Sequence, residues 1–282
     1  MVDGFRPSEI FGVDRPIVGM VHLLPLPGAP RWGGSFDRVL DRALADAEAL
    51  AEGGVHGVMV ENFLDAPFFP ARVPAETVAA LAVVVREVVR TVTIPVGVNV
   101  LRNDALAAVG IACAAGARFV RVNVHTGAML ADQGWLVGEA HETLRLRARL
   151  GAEVAILADV LVKHAVPPPG LDVADAARDA FGRGLADGLI VSGAATGEEP
   201  DPARVLAVKA AVPEAPVWIG SGLTPANAVS LLAAADGAIV GSALMEGGIA
   251  GRRVDPARVR DFMASVAALG AGPARPGGRS SP

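Results

Sequence analysis

Six side chains in this sequence can move a proton, hold a developing charge or attack an electrophile: His22, Glu61, Asn123, His125, Asp159 and Lys163. Each falls at, or a few residues beyond, the end of a short β-branched run. The carboxylates at 61 and 159 are candidates for a general base, the histidines at 22 and 125 for the acid, and Asn123 for a charge-stabilising hydrogen bond. Lys163 stands out on composition. Of 25 basic residues only Lys163 and Lys209 are lysines. A compact, titratable amine offers electrostatic stabilisation or Schiff-base chemistry that a guanidinium cannot.

A second polar set gathers at the same strand ends, where a packed core would use branched apolar groups: Asn99, Arg102, Arg121, Ser192 and Thr196. These are assigned to substrate binding. Asn103, beside Asp104, reads as a helix cap, and His56 and His141 read as structural. A third set is rich in glycine. Gly193 ends the sixth strand, GSGLTP carries Gly220, Ser221 and Gly222 out of the seventh, and VGSAL carries Gly241 and Ser242 out of the eighth. Turns of this kind, each leading into a helix N-terminus, aim backbone N–H groups at one point and form an expected phosphate site.

His22, Glu61, His125, Asp159 and His164 could also converge on a divalent ion, which keeps a metal-assisted hydrolase as an alternative. No HxH or HExxH spacing is present, so no metal ligand is assigned and no cofactor is firmly expected.

The elements that must position these groups follow from hydrophobic pattern. Apolar runs occur at PIVGMVHL, GVMVEN (57–62), PVGVNV (95–100), RFVRVNV (118–124), EVAILADV (153–160), GLIVSG (188–193), PVWIGS (216–221) and GAIVGSA (237–243). Continuous apolar runs suit strands buried on both faces. Amphipathic stripes lie between them, such as Phe36, Leu40, Ala43, Leu44, Ala47 and Leu50. DPARVLAVK at 201, TPANAVSLL at 224 and DPARVRDFM at 255 each place a capping side chain before a proline, the signature of a helix start. Eight such units without a composition break predict one (β/α)8 TIM barrel over residues 1–269. No GxGxxG follows the first strand, which argues against a dinucleotide fold. Segments leaving the strands, at 24–35, 62–73, 125–140 and 161–171, read as long loops at the C-terminal face, where such barrels build their sites. MVHLLPLPGAP is then a strand running into a stiff wall.

The totals exclude several functions. The chain has 282 residues, 52% of them hydrophobic, and a net charge of −5 with scattered arginines, so nucleic acid is not an expected partner. The single cysteine, Cys113, rules out an internal disulfide and reads as a small core residue. No apolar leader and no long uninterrupted apolar stretch are present, which predicts a cytoplasmic protein without a transmembrane segment. Residues 270–282, GAGPARPGGRSSP, read as a disordered tail. A homo-oligomer is expected, since barrels of this kind often assemble.

MVHLLPLPGAP, VMVENFLDAPF, GVNVLRNDALAAV, FVRVNVHTGAM, ILADVLVKHA, DGLIVSGAATG and IGSGLTPANA together resemble the BtpA family, which includes SgcQ-like proteins, from about Pro16 to Leu269. The resemblance implies a barrel of the ribulose-phosphate-binding type. It implies two functional settings: accumulation of photosystem I in cyanobacteria, peripheral to thylakoid membranes, and sugar-phosphate utilisation. It supplies no catalytic residues, so the assignments above stand on the strand ends. The expected function is an enzyme acting on a phosphorylated sugar or nucleotide-like metabolite by acid–base or lysine-assisted chemistry. A non-catalytic biogenesis factor with peripheral membrane association is the alternative.

Overall fold

The structure is a computed structural model, described for residues 6–193, 199 and 201–267. Thr196 and the segment 270–282 lie outside the described residues. Eight parallel strands, β1 (Ile17–His22), β2 (Gly57–Glu61), β3 (Val96–Asn99), β4 (Phe119–Val122), β7 (Ala155–Asp159), β9 (Gly188–Val191), β10 (Val217–Ile219) and β11 (Gly237–Val240), close into a barrel in that order. Every one falls within an apolar run marked by the sequence. The fold is the expected (β/α)8 barrel.

Helices α2 (Phe36–Glu52), α3 (Ala75–Thr91), α4 (Ala105–Ala115), α5 (Ala140–Arg149), α6 (Val173–Arg178), α7 (Pro202–Ala211), α8 (Ala228–Ala234) and α9 (Pro256–Val266) connect them. Caps form where side-chain chemistry demands: Ser35, Asp104, Asp172, Asp201 and Asp255 each accept a first-turn N–H. Two expectations are corrected here. Asp104, not Asn103, caps α4. α8 starts at Ala228 rather than at Thr224, because the Asn227 side chain accepts the Thr224 N–H and folds residues 224–227 into a turn.

Every second strand residue points into the barrel, and these inward side chains form two levels along its axis. At the N-terminal end, Met59, Phe119, Leu157, Ile190, Trp218 and Ile239 form a dry cluster. A short helix, α1 (Pro7–Phe11), plugs that end, its Phe11 ring centroid 5.1 Å from Phe119 and 5.4 Å from Trp218. Space for the rings comes from the neighbouring strands: a Cβ at Gly97 would lie 2.2 Å from Phe119, and one at Gly237 3.0 Å from Trp218. At the C-terminal end the same alternation presents polar side chains.

The segments 125–140 and 161–171 are not plain loops. They fold into an antiparallel sheet of β5 (Ala128–Ala131), β6 (Gly134–Val137) and β8 (Ala165–Val166) beside the barrel mouth. Met129 and Leu136 face inward and are buried; Leu130, Trp135, Val137 and Val166 face outward and are each about half exposed or more. Cys113 is exposed on α4, a correction to its reading as a core residue. An alanine-rich helix is apolar on all sides, so pattern cannot say which side meets the sheet.

Candidate functional site

The pairing His22↔Glu61↔Asn99 places the last residues of β1, β2 and β3 at one level. Arg121, Asn123, Asp159 and Ser192 continue it around the barrel, and all of these side chains are buried.

Asp159 is the most heavily partnered. Arg121 grips it with Nε (2.9 Å) and Nη2 (2.8 Å), Asn123 Nδ2 donates at 3.0 Å, and the Ser192 hydroxyl lies 3.4 Å away. Its oxygens are used up, so it neutralises and orients Arg121 rather than standing ready as a base. Gly220 is required beside this pair: a Cβ there would sit 2.4 Å from Ser192 Oγ and 3.1 Å from Arg121 Nη2.

Glu61 is the opposite case. Its carboxylate is almost fully enclosed and accepts no hydrogen bond among the described residues; His22 Nε2 lies 3.7 Å from it. Burial pushes its pKa up, against the pull of Arg121, Lys163 and Arg102. A carboxyl that exchanges its proton closer to neutrality, with unclaimed oxygens, suits general acid–base work.

His22 stacks on Phe63, with ring centroids 4.1 Å apart, and its Nδ1 accepts the Gly251 N–H at 3.1 Å. That bond puts the proton of the neutral ring on Nε2, facing Glu61. Burial, and secondarily the field of Lys163, Arg42 and Arg121, lowers its pKa to about 3. At neutral pH it is an uncharged donor, not an imidazolium acid. Because it is neutral, the contact with Glu61 is not an ion pair.

Lys163 follows β7 on a tightly held turn. Arg102 Nη2 donates to the Lys163 carbonyl at 2.7 Å, and the flanking Leu161 (φ 53°) and His164 (φ 57°) are both left-handed. Burial, then Arg121, lowers the ammonium pKa to about 8, while Glu61 and Asp159 oppose the shift. Three cations, Arg102, Arg121 and Lys163, thus face two carboxyls, one of them easily protonated, and the mouth favours an anion.

Asn99 links the layers, its Nδ2 donating to Asn123 Oδ1 (3.2 Å) and the Arg121 carbonyl (3.1 Å), while its own Oδ1 is buried without a partner. Across the barrel the Ser221 hydroxyl is likewise buried and unpartnered. It sits among Gly193, Gly220, Gly222 (φ 78°) and Gly241 at the ends of β9, β10 and β11. Ser242 opens a single 3-10 turn, Ser242–Leu244, and not the helix expected there. A cavity of about 200 Å³ runs from Asn123 and Asp159 past Met129 to Leu171, Ala176 and Ala180.

His125 does not join this group. Its Nε2 meets the Gly184 carbonyl at 2.8 Å, behind the strands, and its pKa is lowered by burial. With His125 removed and Asp159 committed to Arg121, the residues do not fit the metal-assisted alternative. No cluster of three metal-ligating side chains occurs among the described residues.

Sequence reasoning saw Asn62 and Asn103 at the strand exits but not the loop-tying role that the structure gives them. Asn62 accepts the Leu101 N–H (2.8 Å) and donates to Asp65, which accepts the Leu26 N–H (2.8 Å), tying three exit loops together. Asn103 accepts the Val124 N–H (2.8 Å) and donates to the carbonyls of Val124 and Val137. For Asn62 the available signal was an Asn immediately after a strand; Asn103, four residues past the end of β3, carried no such signal.

Residues 13–268 match the family model described as the BtpA family. The chain is 48% identical over 259 residues, 92% of its length and 90% of the relative's, to a Synechocystis sp. protein named "Photosystem I biogenesis protein BtpA". It is 34% identical over 262 residues to the "Putative sgc region protein SgcQ" of Escherichia coli, covering 92% of this chain and 97% of that one. Among solved structures, thiamine phosphate pyrophosphorylase from Pyrococcus furiosus superposes with a TM-score of 0.57 at 15% identity, over 91% of this chain and 96% of that one, a likeness of fold.

Proposed function

This chain belongs to the BtpA family, and we propose that it is an enzyme of a small phosphorylated metabolite, a sugar phosphate or nucleotide-like compound, working by acid–base chemistry at the C-terminal mouth. The observation that carries this reading is Glu61: a buried carboxyl with raised pKa and no hydrogen bond among the described residues, in a mouth otherwise rich in cations. A barrel that needed only stability would place a branched apolar residue there.

Glu61 takes and returns the proton. His22 Nε2–H and Asn99 Oδ1 position the reacting group, and Arg102 and Lys163 stabilise negative charge as it develops. Asp159 and Asn123 keep Arg121 aimed into the mouth. The phosphate sits at Gly193, Gly220, Ser221, Gly222, Gly241 and Ser242, with the unpartnered Ser221 hydroxyl as its side-chain contact. Ser192 completes the substrate side. The cavity beside Asn123 offers room for the body of the ligand. A phosphorylated substrate is in keeping with the pyrophosphorylase of the same fold, whose name carries a phosphate.

A second reading, docking to a membrane complex as the Synechocystis relative's name suggests, is favoured by the outward apolar face of Leu130, Trp135, Val137 and Val166. No described helix is long and apolar enough to cross a membrane, so such docking would be peripheral.

Thermal stabilisation by a panel of sugar phosphates, nucleoside monophosphates and inorganic phosphate separates the two. A ligand at about 100 times its Kd adds about 2.7 kcal/mol, a rise of several degrees. The rise should disappear in the Ser221→Asp/Ser242→Asp variant. A flat panel transfers the weight to docking.

A further inference from the structure

The two lysines of this chain have opposite environments. Lys209 Nζ is 2.6 Å from Asp236 Oδ2, and that carboxylate also accepts the Val217 N–H at the N-terminal end of the barrel. Lys163 Nζ makes no hydrogen bond or ion pair among the described residues, although two carboxyls share the mouth with it. Its backbone, in contrast, is clamped by Arg102, and Leu161 and His164 on either side of it are left-handed, a conformation that non-glycine residues adopt only under constraint. A constrained backbone thus presents an amine that no group among the described residues binds.

We propose that Lys163 condenses with a carbonyl carbon of the substrate, which makes the substrate class a phosphorylated aldehyde or ketone. This rests on the reading of the mouth as a phosphometabolite site. The free amine adds to the carbonyl carbon, and its proton passes to the former carbonyl oxygen to give a carbinolamine. Glu61 in its protonated form then donates to that hydroxyl; the C–O bond breaks, water leaves, and an iminium remains beside the Glu61 carboxylate. One amine, one carbonyl and one carboxylic acid become one iminium, one water and one carboxylate. The iminium withdraws electrons from the adjacent carbon, from which the Glu61 carboxylate can then take a proton.

The scarcity of lysine makes the test clean. Pyridoxal 5′-phosphate, a phosphorylated aldehyde, is added at pH 8 and the imine reduced with borohydride, and labelled peptides are then mapped. With a pKa of about 8, Lys163 is about half unprotonated, against less than ~1% for an ordinary lysine, so it should label about a hundredfold faster than an ordinary amine side chain. Inorganic phosphate should slow the labelling, Lys163→Arg should abolish it, and the α-amino group serves as an internal standard in both proteins. Dihydroxyacetone phosphate with borohydride should protect Lys163 from later labelling. Equal labelling of Lys163 and Lys209, or no effect of phosphate, overturns the proposal. If Lys163 stays unlabelled while the phosphate panel still stabilises the fold, the amine acts only as a cation and the phosphometabolite reading survives. If both fail, the mouth itself has been misread.

Discussion

The two halves of the barrel interior are built from inward-facing residues two positions apart on the same strands, such as Phe119 and Arg121, yet one is apolar and the other ionic. The lower half packs Phe11, Phe119 and Trp218 into space left by strand glycines. The upper half buries Arg121 against Asp159 and leaves Glu61 with unclaimed oxygens. The difference separates two tasks. Burial of large rings stabilises closure at the N-terminal end, whereas the charged upper half contributes little net stability, because the desolvation of each ion offsets most of its attraction. A fold can carry costly groups at one end only if the other end holds the barrel closed.

The largest effect that would break this division is Glu61→Gln. Turnover of the substrate should fall by about 10²–10⁴, while melting temperature at neutral pH should rise. The sign follows from linkage. A carboxyl whose folded pKa is raised contributes stability below its unfolded pKa, near ~4.5, and loses it as pH climbs through the folded value. Removing the charge therefore helps at neutral pH and does little at pH 4. Melting curves at both values check this; a loss of stability at neutral pH would show that Glu61 supports the fold.

A contrast between the halves comes next. Phe119→Ala should cost about 3–5 kcal/mol through the cavity it leaves. Arg121→Leu should cost a similar ~3–5 kcal/mol for a different reason, since it strands Asp159 as a buried charge. Only the second should be repaired by a further change, Asp159→Leu. Denaturant unfolding of the two single variants and the Arg121→Leu/Asp159→Leu pair reads this directly, and failure of the repair would mean that the pair acts through shape rather than charge.

The last effect concerns the upper half alone and is confined to acid pH. The His22 pKa is lowered from 6.5 to about 3, so its neutral form supplies stability that is complete above ~6.5 and lost as pH falls toward 3. Replacing it in His22→Phe should flatten the acid limb of the stability curve between these values. An unchanged limb would move the acid sensitivity elsewhere.

The eight strands were legible because both of their faces are buried, and an apolar run is then its own signature. The cap sheet was not. AMLA and GWLV, either side of Asp132 and Gln133, are four residues each and bury one face, and β8 has only two residues, so short range pattern merged them into loop. His125 shows a second limit. It has the parity of Arg121 and Asn123 and would point inward on a continuous strand, but β4 ends at Val122 and the chain turns, so parity no longer applies. The glycine-rich turns at the strand ends were legible as a pattern, whereas the late start of α8 depended on one Asn227 side chain competing for a backbone N–H.

The sequence by itself determined the barrel, the positions where polar groups meet its mouth, and the rarity of lysine, all properties of local pattern and residue type. The tertiary structure alone decided which carboxyl is free. Glu61 and Asp159 are both acids at strand ends, and what separates them is Arg121, 38 positions before Asp159 in the chain and bound to it across the barrel interior. Pairing across strands depends on barrel closure and register, and these arise only when all eight strands are in place.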